Sequence, residues 1–155
     1  MASVSIKNFT RQSSRVWAGF PFTKIAEAVL PGWELSLVFA GATRARSLNL
    51  RLRKKSYVPN VLSYALGKKS GEIIICLPEV RRQAPRYEMS ESRFVLYLFI
   101  HGLLHLAGRA HGATMEQWEQ KLLARFAGFS ARTSHVTTHR NRHRHRHAPG
   151  QTGRR

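Results

Sequence analysis

The stretch from Phe94 to Ala107 is the longest apolar run of the chain, and it constrains the fold more than any other segment. It is too short to span a bilayer, so we expect a helix that is buried in a protein core. Ser90 is a suitable N-cap for this helix, and Gly108 falls where helices often end with a left-handed residue. The run therefore predicts a long core helix, from Ser90 to Ala107, against which the other elements pack.

Two histidines interrupt this helix and a third follows it. His101 and His105 are four residues apart, so both side chains project from one face, one turn apart. A chain reversal at Gly108 would carry His111 back toward them. Three imidazoles that converge on one point are typical of a catalytic zinc site with an open fourth position. The alternative is three ordinary histidines, each with its own hydrogen-bond partner. The pattern predicts one Zn²⁺ per chain.

Gly102 directly follows the first of these histidines. Metzincin proteases share the spacing, H-E-x-x-H-x-x-G-x-x-H, but have a glutamate there as general base. No carboxylate lies between residues 92 and 115, so peptide hydrolysis by the usual route lacks its base. A metal at such a site would polarise the substrate and acidify a bound water. A glycine inside a helix lowers helix stability by about 1 kcal/mol relative to alanine. Either room for a bulky substrate beside the metal or close packing of the helix would explain a glycine at this position.

The rest of residues 1–129 alternates between strand and helix patterns. The predicted strands are residues 4–6, 33–39, 61–66 and 72–77, and the predicted helices are residues 21–30, 43–53, 90–107 and a last helix that begins near a Thr114/Gln117 capping box. The side chains expected to face inward are Ala45, Leu48 and Leu52 in the second helix, and Met115, Trp118, Leu122 and Phe126 in the last. Mixed strands and helices predict a single α/β or α+β domain with layers around one core.

The chain carries a net charge of +18, from 26 Lys and Arg against 8 acidic residues that are all glutamate. This excess predicts attraction to polyanions, with nucleic acid first and anionic membrane second, although charge alone identifies no activity. Residues 130–155 hold seven arginines and five histidines with almost no large apolar residues. They are predicted to be a disordered tail, which either binds RNA nonspecifically or is merely solvated. The domain at residues 1–129 keeps 19 basic residues against eight glutamates, a net charge of +11.

Cys76 is the only cysteine, so neither an internal disulfide nor a disulfide-linked partner is expected. It lies in the apolar run IIICL, where a buried thiol is expected rather than a nucleophile. The N-terminal segment lacks the basic and then apolar layout of a signal peptide. These features predict a soluble, cytoplasmic protein with no membrane partner.

Three segments resemble the YbeY family of bacterial endoribonucleases and rRNA maturation factors. HGLLHLAGRAH resembles its H-G-x-L-H-L-x-G-x-D-H signature, and LRLRKKSYVPNVLSYAL and GEIIICLPEVRRQA resemble two further family segments in the same order. The resemblance spans roughly residues 35–129. It implies a zincin-like α+β domain with a mixed sheet of about four strands packed against helices and the metal-site helix at the centre. It also implies cleavage of single-stranded RNA, including 3′-end maturation of small-subunit rRNA, with the rRNA precursor and the ribosome as partners.

The resemblance assigns roles to individual residues. His101, His105 and His111 are implied as zinc ligands. Arg53 matches a basic residue of the family that is thought to contact RNA phosphate near the metal. Arg53 and His101 are therefore implied as catalytic residues. The basic residues expected to hold the RNA backbone, or else to be solvated surface charges, are Arg53, Lys54, Lys55, Arg81 and Arg82.

The chain departs from the family pattern at three positions. Ala110 stands where the family has an acidic residue before the third histidine, and loss of a carboxylate that orients a ligand weakens metal binding or turnover. Pro59 replaces the usual threonine, and Glu72 stands where aspartate is common. Two rival functions therefore stay open. One is a noncatalytic RNA-binding factor of ribosome assembly with a structural metal, and the other is a zinc metalloprotease, which Gly102 disfavours.

Overall fold

The computed structural model of the chain describes residues 1–129, so the predicted Arg/His-rich tail at residues 130–155 lies outside the described residues. The described part holds four strands and five α-helices. The strands are β1 (Ser3–Asn8), β2 (Glu34–Ala40), β3 (Val61–Gly67) and β4 (Ser70–Cys76). The helices are α1 (Phe22–Val29), α2 (Ala42–Arg53), α3 (Leu77–Gln83), α4 (Glu91–Leu106) and α5 (Ala113–Phe126).

The strands form one mixed sheet in the order β1-β2-β4-β3. β2 is parallel to both of its neighbours, and β3 runs antiparallel to β4. Parallel neighbours need a crossover connection, and α1 provides it between β1 and β2. The apolar β4 lies inside the sheet, as its composition predicts. The predicted α+β class, with a mixed sheet of about four strands, is confirmed.

Alternate residues of β2 and β4 belong to two separate apolar clusters, because successive side chains of a strand point to opposite faces. Leu37 of β2 pairs with Ile73 of β4, and both belong to the main core together with residues of α1, α4 and α5. Val38 and Ile74 form the next pair and face the other side, where Leu48 of α2 packs against them. The main core therefore lies between the sheet and α4.

α4 is a buried helix at the centre of the domain, as the apolar run predicts. The hydroxyl oxygen of Ser90 caps it by accepting a hydrogen bond of 3.1 Å from the backbone N–H of Arg93. The helix contacts α1, α3 and α5 as well as β3 and β4. Neither α4 nor any other helix within residues 1–129 is long and apolar enough to cross a membrane.

Gly102 lies where α4 packs on β4. A Cβ atom at this position would stand 3.1 Å from Cγ2 and 3.3 Å from Cδ1 of Ile73, which is closer than ordinary van der Waals contact. Since Ile73 fills this space, the glycine allows close packing of the helix on the sheet. The alternative explanation, room for a bulky substrate beside the metal, is wrong.

The last helix differs from the prediction in its cap and in one inward position. α5 begins one residue before Thr114 with Gly112 as its N-cap, and no side chain caps it, so the capping box does not form. Trp118 is 41% exposed, whereas the other three residues expected to face inward are buried. Successive residues of an α-helix are rotated by about 100° around its axis. The side of α5 that faces the core therefore includes Glu119 and not Trp118.

α2 shows a similar difference. Ala45 is buried and Leu48 is partly buried, but Leu52 is 45% exposed, contrary to the prediction. The fully buried residue of the second half of α2 is Asn49. A polar residue thus occupies the inward position that an apolar residue was expected to fill.

α3 is absent from the sequence-based predictions. The strand ends at Cys76, and Leu77, which was assigned to the strand, begins α3 with Pro78 in its first turn, a position that proline favours. Arg81 and Arg82 lie on this helix. Cys76 is a free and buried thiol, as predicted, and burial raises its pKa.

Candidate metal centre

Three histidines come together where α4 ends. His101 and His105 lie on the last two turns of the helix and are partly buried. Gly108 has a left-handed backbone conformation, with φ of +83°, and its N–H donates to the carbonyl of His105 at 2.9 Å. The chain reverses at this glycine and brings the exposed His111 back to the helix, as its position in the sequence predicts.

The imidazole nitrogens of these residues are close enough to share one metal ion. One nitrogen from each ring lies within 4.8 Å of the other two. Nε2 of His105 is 3.0 Å from Nε2 of His101, and the ring centroid of His111 is 4.5 Å from that of His105. Metal–nitrogen bonds of about 2.0–2.1 Å in a tetrahedral site place ligand nitrogens about 3.4 Å apart. Small side-chain rotations therefore suffice, and the three histidines can hold a metal ion.

A buried carboxylate from α5 orients the first of these rings. Nδ1 of His101 donates to Oε1 of Glu119 at 2.5 Å, and Glu119 is only 6% exposed. The negative charge of this carboxylate also acts on Tyr97 of the same helix as His101. Because the Nδ1 proton is directed to Glu119, Nε2 of His101 presents its lone pair toward His105. A carboxylate on the outer nitrogen fixes the ring and makes the inner nitrogen more basic toward a metal.

The protonation states of the neighbouring groups fit a metal site. Burial, followed by electrostatic repulsion from the imidazoles of His101 and His111, lowers the pKa of His105. A lowered pKa favours the neutral imidazole, which is the form that binds a metal. Burial, followed by the negative charge of Glu119, raises the pKa of Tyr97 to about 12. Tyr97 therefore keeps its proton at neutral pH.

Glu119 is absent from the sequence-based predictions. The family motif has its acidic residue at the position of Ala110, where this chain has no carboxylate, whereas the carboxylate that contacts a histidine comes from the next helix. One signal was available, because Glu119 is in line with Met115 and Leu122 on the inward side of α5. A carboxylate that is buried among apolar residues needs a partner, and a histidine is a suitable one.

We expect Glu119→Gln to weaken metal affinity about tenfold to a hundredfold, because the ring of His101 loses the anionic acceptor that orients it. Glu116→Gln removes the same charge from an exposed position of the same helix and serves as the matched control. Competition with a metal-sensitive dye measures both affinities, and circular dichroism checks the fold. Equal affinity in the two variants would show that the carboxylate does not support the metal site.

The histidines border a cavity of about 440 Å³. Arg53, at the end of α2, is exposed and lines the same cavity. The other lining residues come from the segment after α2 and from β3: Tyr57, Asn60, Val61, Leu62 and Ser63. A metal-binding cluster and a guanidinium therefore face one space, and both groups stabilise negative charge that develops on a substrate.

The other basic residues that were predicted to contact RNA do not line this cavity. Lys54 and Lys55 are exposed in the turn after α2. Arg81 and Arg82 lie on α3, and each forms an ion pair with a glutamate. Only Arg53 of the predicted set is brought beside the histidines, and RNA contact by the other four stays a prediction.

Comparison with known proteins identifies relatives of the chain. A family model described as Endoribonuclease YbeY matches residues 4–127, which include the three histidines and Glu119. A Mesoplasma florum protein named Endoribonuclease YbeY is 30% identical over 142 residues, covering 79% of this chain and 81% of the relative. A Bordetella avium protein of the same name is 32% identical over 136 residues, covering 79% and 84%. A solution structure of a Thermotoga maritima protein has the same fold, with a TM-score of 0.62 and 20% identity over 81% of this chain and 90% of that one.

Proposed function

The chain belongs to the YbeY family, and we propose that it is a zinc-dependent endoribonuclease that cleaves single-stranded RNA. The observation that carries the proposal is the cavity that three converging histidines share with Arg53. His101, His105 and His111 would hold the metal. When bound, zinc supplies a Lewis acid and a water molecule of lowered pKa.

The proposed role of Arg53 follows from the charge of the reaction. Cleavage of a phosphodiester bond adds negative charge to the phosphate oxygens in the transition state. A guanidinium presents two parallel N–H groups to such oxygens and keeps its charge at any physiological pH. Arg53 lies on the rim of the histidine cavity and is exposed, so a phosphate can reach it. We assign it to stabilising that charge.

The role proposed for Glu119 concerns the ligand His101. Glu119 accepts a hydrogen bond from Nδ1 of this residue, so the imidazole keeps one tautomer and one orientation while substrate binds. This contact weakens the alternative of a noncatalytic factor with a structural metal. That alternative was based on Ala110, and the site has another carboxylate on one of its histidines. The family membership leaves the metalloprotease alternative without support.

We extend the proposal to the biological substrate. The precursor of small-subunit rRNA is proposed as the RNA, the ribosome as the partner and the cytoplasm as the location. The net charge of +18 supports an RNA partner, since phosphate contacts and counterion release favour basic proteins. Residues 1–129 are proposed as the catalytic domain and residues 130–155 as a nonspecific RNA-binding extension.

Cleavage of a labelled single-stranded RNA oligonucleotide tests the proposed function. Protein treated with a chelator is expected to be inactive and to recover on addition of one equivalent of zinc per chain, while a duplex of the same sequence is cut poorly. Gel analysis of the products, with mock-treated protein beside it, gives the rates. Cleavage that persists after chelation would overturn the proposal, and RNA binding without any cleavage would favour the noncatalytic alternative.

A further inference from the structure

A second cavity adjoins the metal cavity. It measures about 470 Å³, and the two cavities share Arg53, Tyr57, Asn60 and Val61. The second cavity is further lined by residues of α3, including Arg82 and Gln83, and is called here the flanking pocket. Because the two spaces share part of their walls, a strand bound at the histidines can continue into the flanking pocket past Arg53.

We propose that the flanking pocket binds the nucleotide next to the cleaved phosphate, with its base stacked on Tyr57. The proposal rests on the proposed endoribonuclease function and names a subsite for its substrate. Tyr57 becomes a substrate-binding residue, and Asn49, which supports it, becomes a positioning residue. Neither residue is among those predicted from the sequence.

Tyr57 has the properties of a stacking platform. It is 53% exposed although it lines both cavities, and within residues 1–129 its ring stacks on no other aromatic side chain. Exposed aromatic rings beside basic residues are the groups on which single-stranded nucleic acids stack their bases, since every base has a π face. The ring lines the same two cavities as the guanidinium that is proposed to contact the phosphate.

Two side chains of α2 hold the loop that carries this ring. Nδ2 of Asn49 donates to the carbonyl of Tyr57 at 2.9 Å, and Nε of Arg46 donates to the carbonyl of Ser56 at 2.8 Å. Asn49 is fully buried, and its Oδ1 has no hydrogen-bond partner. An unpaired buried oxygen lowers stability, so a purely structural role for this asparagine is costly. Anchoring the Tyr57 loop at a binding site explains why the cost is tolerated.

The polar wall of the pocket suits a nucleotide. Nδ2 of Asn60 donates to Oε1 of Gln83 at 2.9 Å, and Nε2 of Gln83 donates to a carboxylate oxygen of Glu79 at 2.7 Å. Both amide residues line the pocket, and side-chain amides are groups that hydrogen-bond to the edge of a base. Arg82, which Glu79 holds by an ion pair of 2.6 Å, adds a second guanidinium for the RNA backbone.

The test combines a protein variant with a modified substrate, using the full chain and an oligoribonucleotide that is cut at one position. Tyr57→Leu is expected to raise KM about tenfold to a hundredfold, the range for loss of one stacked base, with little change in kcat. An abasic position beside the cut should raise the KM of the unmodified protein by a similar factor. In Tyr57→Leu the abasic position should have no further effect, because the ring and the base lose the same contact.

Two further variants separate stacking from general damage. Tyr57→Phe keeps the ring and is expected to restore tight binding. Phe9→Leu removes a ring of similar exposure, 54%, that lines neither cavity, and is expected to leave KM unchanged. An unchanged KM in Tyr57→Leu would overturn the proposed subsite. So would effects of Tyr57→Leu and of the abasic position that multiply when the two are combined. Neither result would contradict the proposed endoribonuclease function. If the unmodified protein shows no chelator-sensitive cleavage, the proposed function fails, and the subsite fails with it.

Discussion

His105→Ala is expected to remove the bound metal and to lower RNA cleavage by more than about a thousandfold, since a catalytic metal contributes several kcal/mol to transition-state stabilisation. His105 is the middle ligand, with its Nε2 3.0 Å from that of His101 and its ring centroid 4.5 Å from that of His111. The two imidazoles that remain are too few to hold a metal ion at a site that needs three protein ligands. Elemental analysis should give one zinc per chain less than in the unmodified protein, and the cleavage assay is run on the same preparations.

The matched control for this variant is a histidine outside the described domain. His139→Ala removes one of the five histidines of residues 130–155, which are expected to take up metal only weakly, and both variants are compared in the same full-length background. His139→Ala should keep the specific metal and full activity. If His105→Ala also keeps them, the three-histidine site is not the catalytic centre. If no preparation contains specific metal, the noncatalytic RNA-binding alternative gains support.

The histidine cluster was predictable because its geometry is local. The four-residue spacing of His101 and His105 sets their common face, and the left-handed Gly108 reverses the chain within the same short segment. Local backbone rules determine such an arrangement whatever the rest of the fold does. Glu119, in contrast, reaches His101 from another helix, and its contact depends on how α4 and α5 pack.

The two side chains that were wrongly expected to be buried share one physical cause. Leu52 and Trp118 fit the apolar periodicity of their helices, but in each helix a polar residue takes the inward position. Asn49 is buried because its amide holds the Tyr57 loop, and Glu119 is buried because it holds His101. Periodicity ranks positions by apolar character and cannot anticipate a polar residue whose partner lies elsewhere in the chain. Both exceptions support the proposed site.

The strands were predictable to within a few residues, because their apolar runs are bounded by glycine, proline and charged residues. α3 was not predictable, since it is short and its first residue, Leu77, continues the apolar run of β4, which ends at Cys76. α3 forms a wall of the flanking pocket. Neither the pocket nor its continuity with the metal cavity could therefore be predicted from the sequence.

Arg53→Glu is expected to lower kcat/KM for RNA cleavage by about a hundredfold to a thousandfold, the range for removal of one group that stabilises transition-state charge. The substitution replaces the guanidinium in the histidine cavity with a carboxylate that repels phosphate. Most of the loss should be in kcat if Arg53 contacts the charge that develops during cleavage, and in KM if it only holds the RNA. Single-turnover and steady-state rates on one oligonucleotide separate these effects.

Arg51→Glu is the matched control, because it makes the same charge change on the same helix at an exposed residue that lines neither cavity. Both variants place a negative charge near the C-terminus of α2, which costs about 0.3–1 kcal/mol of stability. Urea unfolding should therefore show similar small losses in both. A large loss of cleavage in Arg53→Glu alone would then report on the reaction and not on the fold. Equal activity in the two variants would remove Arg53 from the catalytic site.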